Sequence, residues 1–99
     1  MQFEWDISKA ETNLKKHKIS FVEAETVFGD PLAKIFDDKE HSFEEKREII
    51  VGHSIQNRLL IVSFTERVND TVRIISARLA TPQERKDYEN AEEKRRNIV

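Results

Sequence analysis

Three apolar, β-branched runs follow one another in the second half of the chain: Arg47–Ile55, Leu59–Glu66 and Thr71–Leu79. Their connections, Gln56-Asn57 and Arg67–Asp70, have hairpin lengths and leave no room for a crossover helix. Strands joined so tightly must reverse direction at each turn, so this stretch predicts an antiparallel sheet. Asn57 suits its turn because asparagine tolerates left-handed backbone. Leu32–Phe36 adds a further strand, across a charged loop over Asp37–Glu45, and Gln2–Trp5 reads as another short one.

Helices fill the gaps. Asp6 is placed to cap a helix over Ile7–His17, with Ile7, Ala10, Leu14 and His17 on one face. Ser20-Phe21-Val22-Glu23 fits a capping box, in which serine and glutamate satisfy each other's free amides. The helix behind it presents Phe21, Ala24, Val27 and Phe28, and stops at Gly29 before Asp30-Pro31. Thr81-Pro82-Gln83-Glu84 is a second capping box, with proline at the first helical position. The helix it opens runs to about Arg95, carries only Tyr88 and Ala91 as apolar anchors, and should fray from about residue 92. The order is β-α-α-β-β-β-β-α, an α+β fold in a single domain over residues 1–99.

Composition narrows the function classes. Apolar residues make up 37% of the chain and charged ones 36%, and no apolar run approaches the length of a membrane span. The absence of cysteine removes disulfides, thiolate metal sites and a cysteine nucleophile. Met1–Lys9 has no basic stretch leading into an apolar one, so the expectation is a cytoplasmic protein. The net charge is −2, but unevenly spread. Residues 1–50 hold eight Lys/Arg against twelve Asp/Glu, while residues 51–99 hold nine against seven, and seven of those nine are arginines. A nonspecific DNA coater would be strongly basic, and this chain is not.

Pairing the hairpins as their loop lengths suggest puts Ile49, Val51, His53, Leu60, Val62, Phe64, Ile75 and Ala77 on the face that the helices cover. Arg47, Glu66 and Arg73 then gather at one end of that face. Ser63, Thr65, Ser76 and Arg78 lie opposite, among Ile50, Ile61 and Ile74; one register slip would exchange the two sets. Arg73 and Arg78 fall on opposite faces unless the strand twists or bulges. The trio Arg47, Glu66 and Arg73 reads either as an ion-pair network or as a phosphate cradle. His17 is the best acid/base candidate, because histidine titrates near neutrality; its alternative is a helix-end residue balancing the dipole. Tyr88 is a proton donor or a helix anchor. His17, His41 and His53 lack metal-ligand spacing. The acidic residues of 37–45 are interrupted by lysines and read as a solvated loop rather than a Mg²⁺ site.

Several of these residues carry a family resemblance. Phe3-Glu4-Trp5-Asp6, Lys9, Asn13, Lys16-His17, Ser20-Phe21, Ala24, Phe28 and Asp30-Pro31 resemble the start of the BrnT-like toxins. Glu45, Arg47, Gly52, Thr65-Glu66-Arg67, the run Arg73 to Arg78, Ala80-Thr81, Glu84-Arg85 and Tyr88 follow in the same order. Several positions depart from the usual pattern: Lys18 and Asn57 stand in place of glycine, Phe64 in place of tyrosine, and Val68-Asn69-Asp70 in place of a glycine-richer turn. The resemblance implies a RelE-like fold and a ribonuclease toxin of a type II toxin–antitoxin pair, cleaving RNA without metal or cofactor. It further implies His17, Arg47, Glu66, Arg73, Arg78 and Tyr88 as the catalytic set, with Lys16, Arg67 and Arg85 binding RNA. The implied partner is an antitoxin whose ribbon-helix-helix part dimerises and binds DNA, giving a 2:2 complex. The rival reading is a module of the same fold that binds RNA or protein and cuts nothing.

Overall fold

The computed structural model describes residues 1–97, and each expected cap opens a helix. Helix α1 spans Ile7–His17, with Asp6 accepting the Lys9 amide at 3.1 Å. Helix α2 spans Phe21–Thr26, with Ser20 Oγ accepting the Glu23 amide at 3.0 Å, and a 3-10 turn over Val27–Gly29 ends it. Only half of that capping box forms. The Glu23 carboxylate turns away to take bonds from Ser54 Oγ at 2.7 Å and Arg58 Nε at 2.9 Å. The last helix, α3, spans Pro82–Asn97, and its box is complete: Glu84 N donates to Thr81 Oγ1 at 3.1 Å and Thr81 N to Glu84 Oε1 at 2.9 Å. It stays helical through most of the stretch expected to fray, and Glu92 is tied to Lys34 at 3.1 Å; residues 98 and 99 lie outside the described residues.

Five strands form one sheet: β1 (Gln2–Glu4), β2 (Lys34–Asp37), β3 (Glu48–His53), β4 (Leu59–Arg67) and β5 (Thr71–Leu79). They lie in the order β1-β5-β4-β3-β2. β2 to β5 are the expected antiparallel meander, but the sheet as a whole is mixed. β1 runs parallel to β5, Gln2–Glu4 pairing with Thr71–Arg73, because two helices rather than a hairpin follow it.

The expected face assignment is corrected at two places. His53 pairs with Leu59, so the β3–β4 turn occupies Ser54 to Arg58, where Ser54 N donates to Arg58 O and Asn57 N to Ser54 O. That longer loop turns β3 over: Ile50 and Gly52, not Ile49, Val51 and His53, share a face with Leu60 and Val62. The second place is a bulge. Ser63 pairs with Ser76 but Phe64 with Ile74, leaving Ile75 as the extra residue.

The core on the α1/α2 side joins Ile50, Leu60, Val62, Phe64, Val72, Ile74 and Ala77 of the sheet to Ile19, Phe21, Ala24 and Val27. Edge-on rings extend it, Phe28 lying 5.2 Å from Phe3 and 5.0 Å from Phe64. Gly52 has no side chain for a spatial reason: a Cβ there would meet the Ala33 Cβ at 2.8 Å. Part of the outer face is covered by α3, which seats Tyr88 against His53 with ring centroids 5.7 Å apart. Ile49, Val51 and Ile61 line an apolar groove of about 320 Å³ beneath that helix.

Candidate functional site

The bulge in β5 decides which arginines share a surface. Arg73, Ser76 and Arg78 pair with Thr65, Ser63 and Ile61, alternate residues of β4, so all three side chains lie on the outer face. Arg73 Nη1 donates to Glu4 Oε2 at 2.5 Å from the neighbouring parallel strand. Arg78 makes a two-pronged bond with Glu84, 2.7 Å to one oxygen and 2.9 Å to the other. The hydrogen bond from Arg78 is the main reason the Glu84 carboxyl is held down to about 2, and the same bond raises the guanidinium. Each arginine is thereby aimed while keeping donors free: of five guanidinium N–H groups, Arg78 uses three and Arg73 one.

Helix α1 flanks the free edge of β5 because Asn13 substitutes for a strand. β1 stops opposite Arg73, leaving the end of β5 without a neighbour on that side. Asn13, 6% exposed, fills the gap: its Oδ1 accepts from Ala77 N at 3.0 Å and its Nδ2 donates to Ala77 O at 2.9 Å. A third bond, from Nδ2 to Ile19 O at 2.9 Å, ties in the turn after the helix. Between α1 and β5 lies a groove of about 300 Å³, lined by Lys9, Thr12, Lys16, His17 and Ser76 among others. Among the described residues no carboxylate lies within 4.0 Å of Lys9, Lys16 or His17, so the groove carries uncompensated positive charge; the arginines do not line it, and Arg78 faces the cavity under α3. An imidazole and two ammonium groups in one depression can hold a phosphodiester and move a proton at it.

The other expected site residues lie elsewhere. Glu66 follows Phe64 on the α1/α2 side and is exposed, so the trio Arg47, Glu66 and Arg73 does not form; the carboxylate beside Arg73 is Glu4. Arg47 instead meets Arg67 in a cavity of about 650 Å³ with His41, Phe43, Glu44 and Glu45. Arg85 stands on the exposed side of α3, 4.0 Å from Glu89. Tyr88 is 7% exposed and its hydroxyl donates to Leu32 O at 3.3 Å, the geometry of an anchor. His41 is bonded to Asp38, and His53 packs beside Tyr88.

Sequence reasoning places Ser76 next to Arg78 on a face that could bind phosphate, but it does not give Lys9 a part in the site or show Glu4 and Glu84 as the carboxylates that aim the arginines. The stripe Lys9, Thr12, Lys16 at helical spacing was a readable signal; the two carboxylates depend on strand order and could not be seen without it. Among the described residues no three His, Asp or Glu side chains converge as a metal site, and no helix is long and apolar enough to cross a membrane.

Comparison with known proteins agrees with this architecture. A family model for the ribonuclease toxin BrnT of type II toxin–antitoxin systems matches residues 5–84. The 1.1 Å crystal structure of the Brucella abortus ribonuclease toxin BrnT aligns with a TM-score of 0.63 and 25% sequence identity, covering 82% of this chain and 97% of that one. No curated protein matches by sequence. The family match covers most of the chain, including α1, the bulged β5 and the start of α3, and the chain therefore belongs to the BrnT family of ribonuclease toxins of type II toxin–antitoxin systems, with a RelE-like fold.

Proposed function

We propose that this single domain is a metal-independent endoribonuclease whose reaction centre is the groove between α1 and the bulged strand β5. The observation that carries the reading is the cluster of Lys9, Lys16 and His17 in one groove with Ser76, which shares its face of β5 with Arg73 and Arg78. In the reaction, the 2′-hydroxyl of the RNA attacks its own phosphorus and the bond to the 5′-oxygen breaks. The products are a 2′,3′-cyclic phosphate and a 5′-hydroxyl. One proton leaves the 2′-oxygen and one reaches the 5′-oxygen. His17 serves one of these transfers. Arg73 and Arg78 hold the charge of the phosphorane through their free donors. Lys16 and Lys9 draw the backbone in, and Arg67 and Arg85 extend that basic track. Arg47, Glu66 and Tyr88 have no place at the reacting phosphate in this reading: Arg47 binds RNA outside the groove, while Tyr88 holds α3.

A second reading has one observation in its favour. Both sheet arginines are already matched to carboxylates, as they would be in a domain that binds RNA or protein without cutting it. Digestion of RNA by the purified chain, with and without EDTA, separates the two. We expect cleavage in excess chelator. Activity that needs added Mg²⁺ would overturn the metal-independent mechanism, and no cleavage at all would favour the binding module. His17→Ala and Arg78→Ala should each lower cleavage by roughly 10²-fold, with the melting temperature of His17→Ala near the parent's and that of Arg78→Ala lower by only the few degrees that losing the Glu84 pair costs. Loss of stability with unchanged activity per folded molecule would make these residues structural.

A further inference from the structure

The cavity at the β2–β3 connection has no part in the groove chemistry, and its lining is unusual. Phe43 is 89% exposed, yet its loop is closed at the neck by a polar network. Ser42 Oγ donates to Asp38 O at 2.6 Å and accepts from Arg47 N at 3.0 Å, while Asp38 N donates to Arg47 O at 2.9 Å. Thr65 Oγ1 donates to Lys46 O at 2.7 Å, fixing the loop's return to β4. A bare ring held out by an ordered loop offers a stacking surface. Around it stand Arg47, with no carboxylate within 4.0 Å among the described residues, and Arg67, which touches Glu45 through a single 3.4 Å contact. The side chains of Arg67 and Glu45 are 43% and 40% exposed, so both keep donors and lone pairs available to a ligand.

We propose that the cavity framed by Phe43, Glu45, Arg47 and Arg67 is a subsite for one unpaired guanine of the RNA. Two arginines facing Glu44 and Glu45 give the cavity no net charge, which suits a base better than a second phosphate. Guanine is the base that satisfies both kinds of group with paired bonds. Its adjacent O6 and N7 acceptors match an arginine fork. Its adjacent N1–H and N2–H donors match the two oxygens of a carboxylate, and its ring stacks on Phe43. Adenine presents a donor where O6 stands and offers no such donor pair. The subsite is within reach of the reaction groove. Arg47 extends β3 alongside Thr65, whose partner on β5 is Arg73, two strand spacings or about 10 Å away. The inference rests on the ribonuclease reading only in that one RNA strand occupies both places.

The test uses short 2′-O-methyl oligonucleotides, which bind but cannot be cleaved for want of a free 2′-hydroxyl. One has a single central guanine in an adenine strand, one is all adenine, and one carries hypoxanthine in place of the guanine. Fluorescence anisotropy should show the guanine strand binding at least about tenfold more tightly than the adenine strand. Hypoxanthine, lacking the N2 amine, should fall between. Phe43→Ala should weaken the guanine strand about tenfold or more, and Phe43→Trp should restore it. Glu45→Gln should erase most of the difference between guanine and hypoxanthine. Equal binding of the guanine and adenine strands by the parent overturns the subsite, as does a Glu45→Gln variant with undiminished selectivity. Unmodified RNA is digested in parallel. Cleavage without guanine preference in binding removes the subsite and leaves the ribonuclease; guanine preference without cleavage does the reverse.

Discussion

Glu84 shows how much one carboxylate can be asked to do. It accepts the Thr81 amide as the cap of α3 and grips Arg78 with both oxygens. The capping role was legible from four consecutive residues; the grip on Arg78 was not, because it depends on where β5 ends. Folded, Glu84 titrates at about 2 against an ordinary value of 4.5, chiefly through the Arg78 bond. Protonation is therefore disfavoured in the folded state, so the stabilisation is complete above about pH 5 and is lost as the pH falls toward 2. Solvent reaches the pair and screens it, leaving about 1 kcal/mol. Urea titrations at pH 6 and pH 3 should show Glu84→Gln losing that much less stability on acidification than the parent; parallel acid limbs would refute the assignment. Glu23 has the same sign, its carboxyl lowered by the Arg58 bond against the opposing effect of burial. Here the carboxylate is 3% exposed, and Arg58→Ala would leave it buried without a cation. We expect that variant to lose about 3 kcal/mol by urea denaturation at neutral pH.

At the scale of elements, what was legible is what is local. Caps at Asp6, Ser20 and Thr81 need three or four neighbouring residues, and all three open helices where expected. Register is not local. The β3 faces were misassigned because a turn longer than the Gln56-Asn57 pair shifts alternation by one, and nothing in the strand itself records this. The β5 bulge is a similar case: strict alternation puts Arg73 and Arg78 on opposite faces, and the extra residue at the bulge brings them to one. Lys18, where the resemblance leads one to expect glycine, left a clearer mark. Lys18 ends α1 in the left-handed conformation, φ 60°, with its amide bonded to Leu14 O. Lysine is strained there and glycine is not, though glycine also gains freedom in the unfolded chain. The balance should make Lys18→Gly more stable by roughly 0.5–1 kcal/mol, read as a rise in melting temperature of a few degrees. Asn13 tests the packing of α1 itself. Asn13→Asp keeps the size but replaces the Nδ2 donor with an acceptor facing Ala77 O and Ile19 O. We expect a loss of about 2–3 kcal/mol, and cleavage should fall further than the folded fraction does, because the groove between α1 and β5 opens.

On the scale of the whole molecule, the charge pattern says what a partner must look like. The chain is net −2, yet the groove of Lys9, Lys16 and His17 faces solvent with no carboxylate against it among the described residues. Anything that silences the site by covering it must bring negative charge to that groove, so we expect the antitoxin's toxin-binding segment to be acidic. Association should then be steered electrostatically, with an on-rate that falls as salt rises. We expect DNA binding to belong to the antitoxin for the complementary reason: a net-acidic chain lacks the basic footprint that phosphate backbones require. If that antitoxin dimerises through a ribbon-helix-helix part, each arm carries one toxin and the assembly is 2:2. Co-expression with the cognate antitoxin, followed by light scattering, measures this directly. A mass equal to two copies of each chain supports the arrangement, and Lys9→Glu with Lys16→Glu should slow association without changing the toxin's own melting temperature. A 1:1 mass would remove the dimeric antitoxin from the picture. An association rate indifferent to both salt and charge reversal would mean that the partner covers some other face.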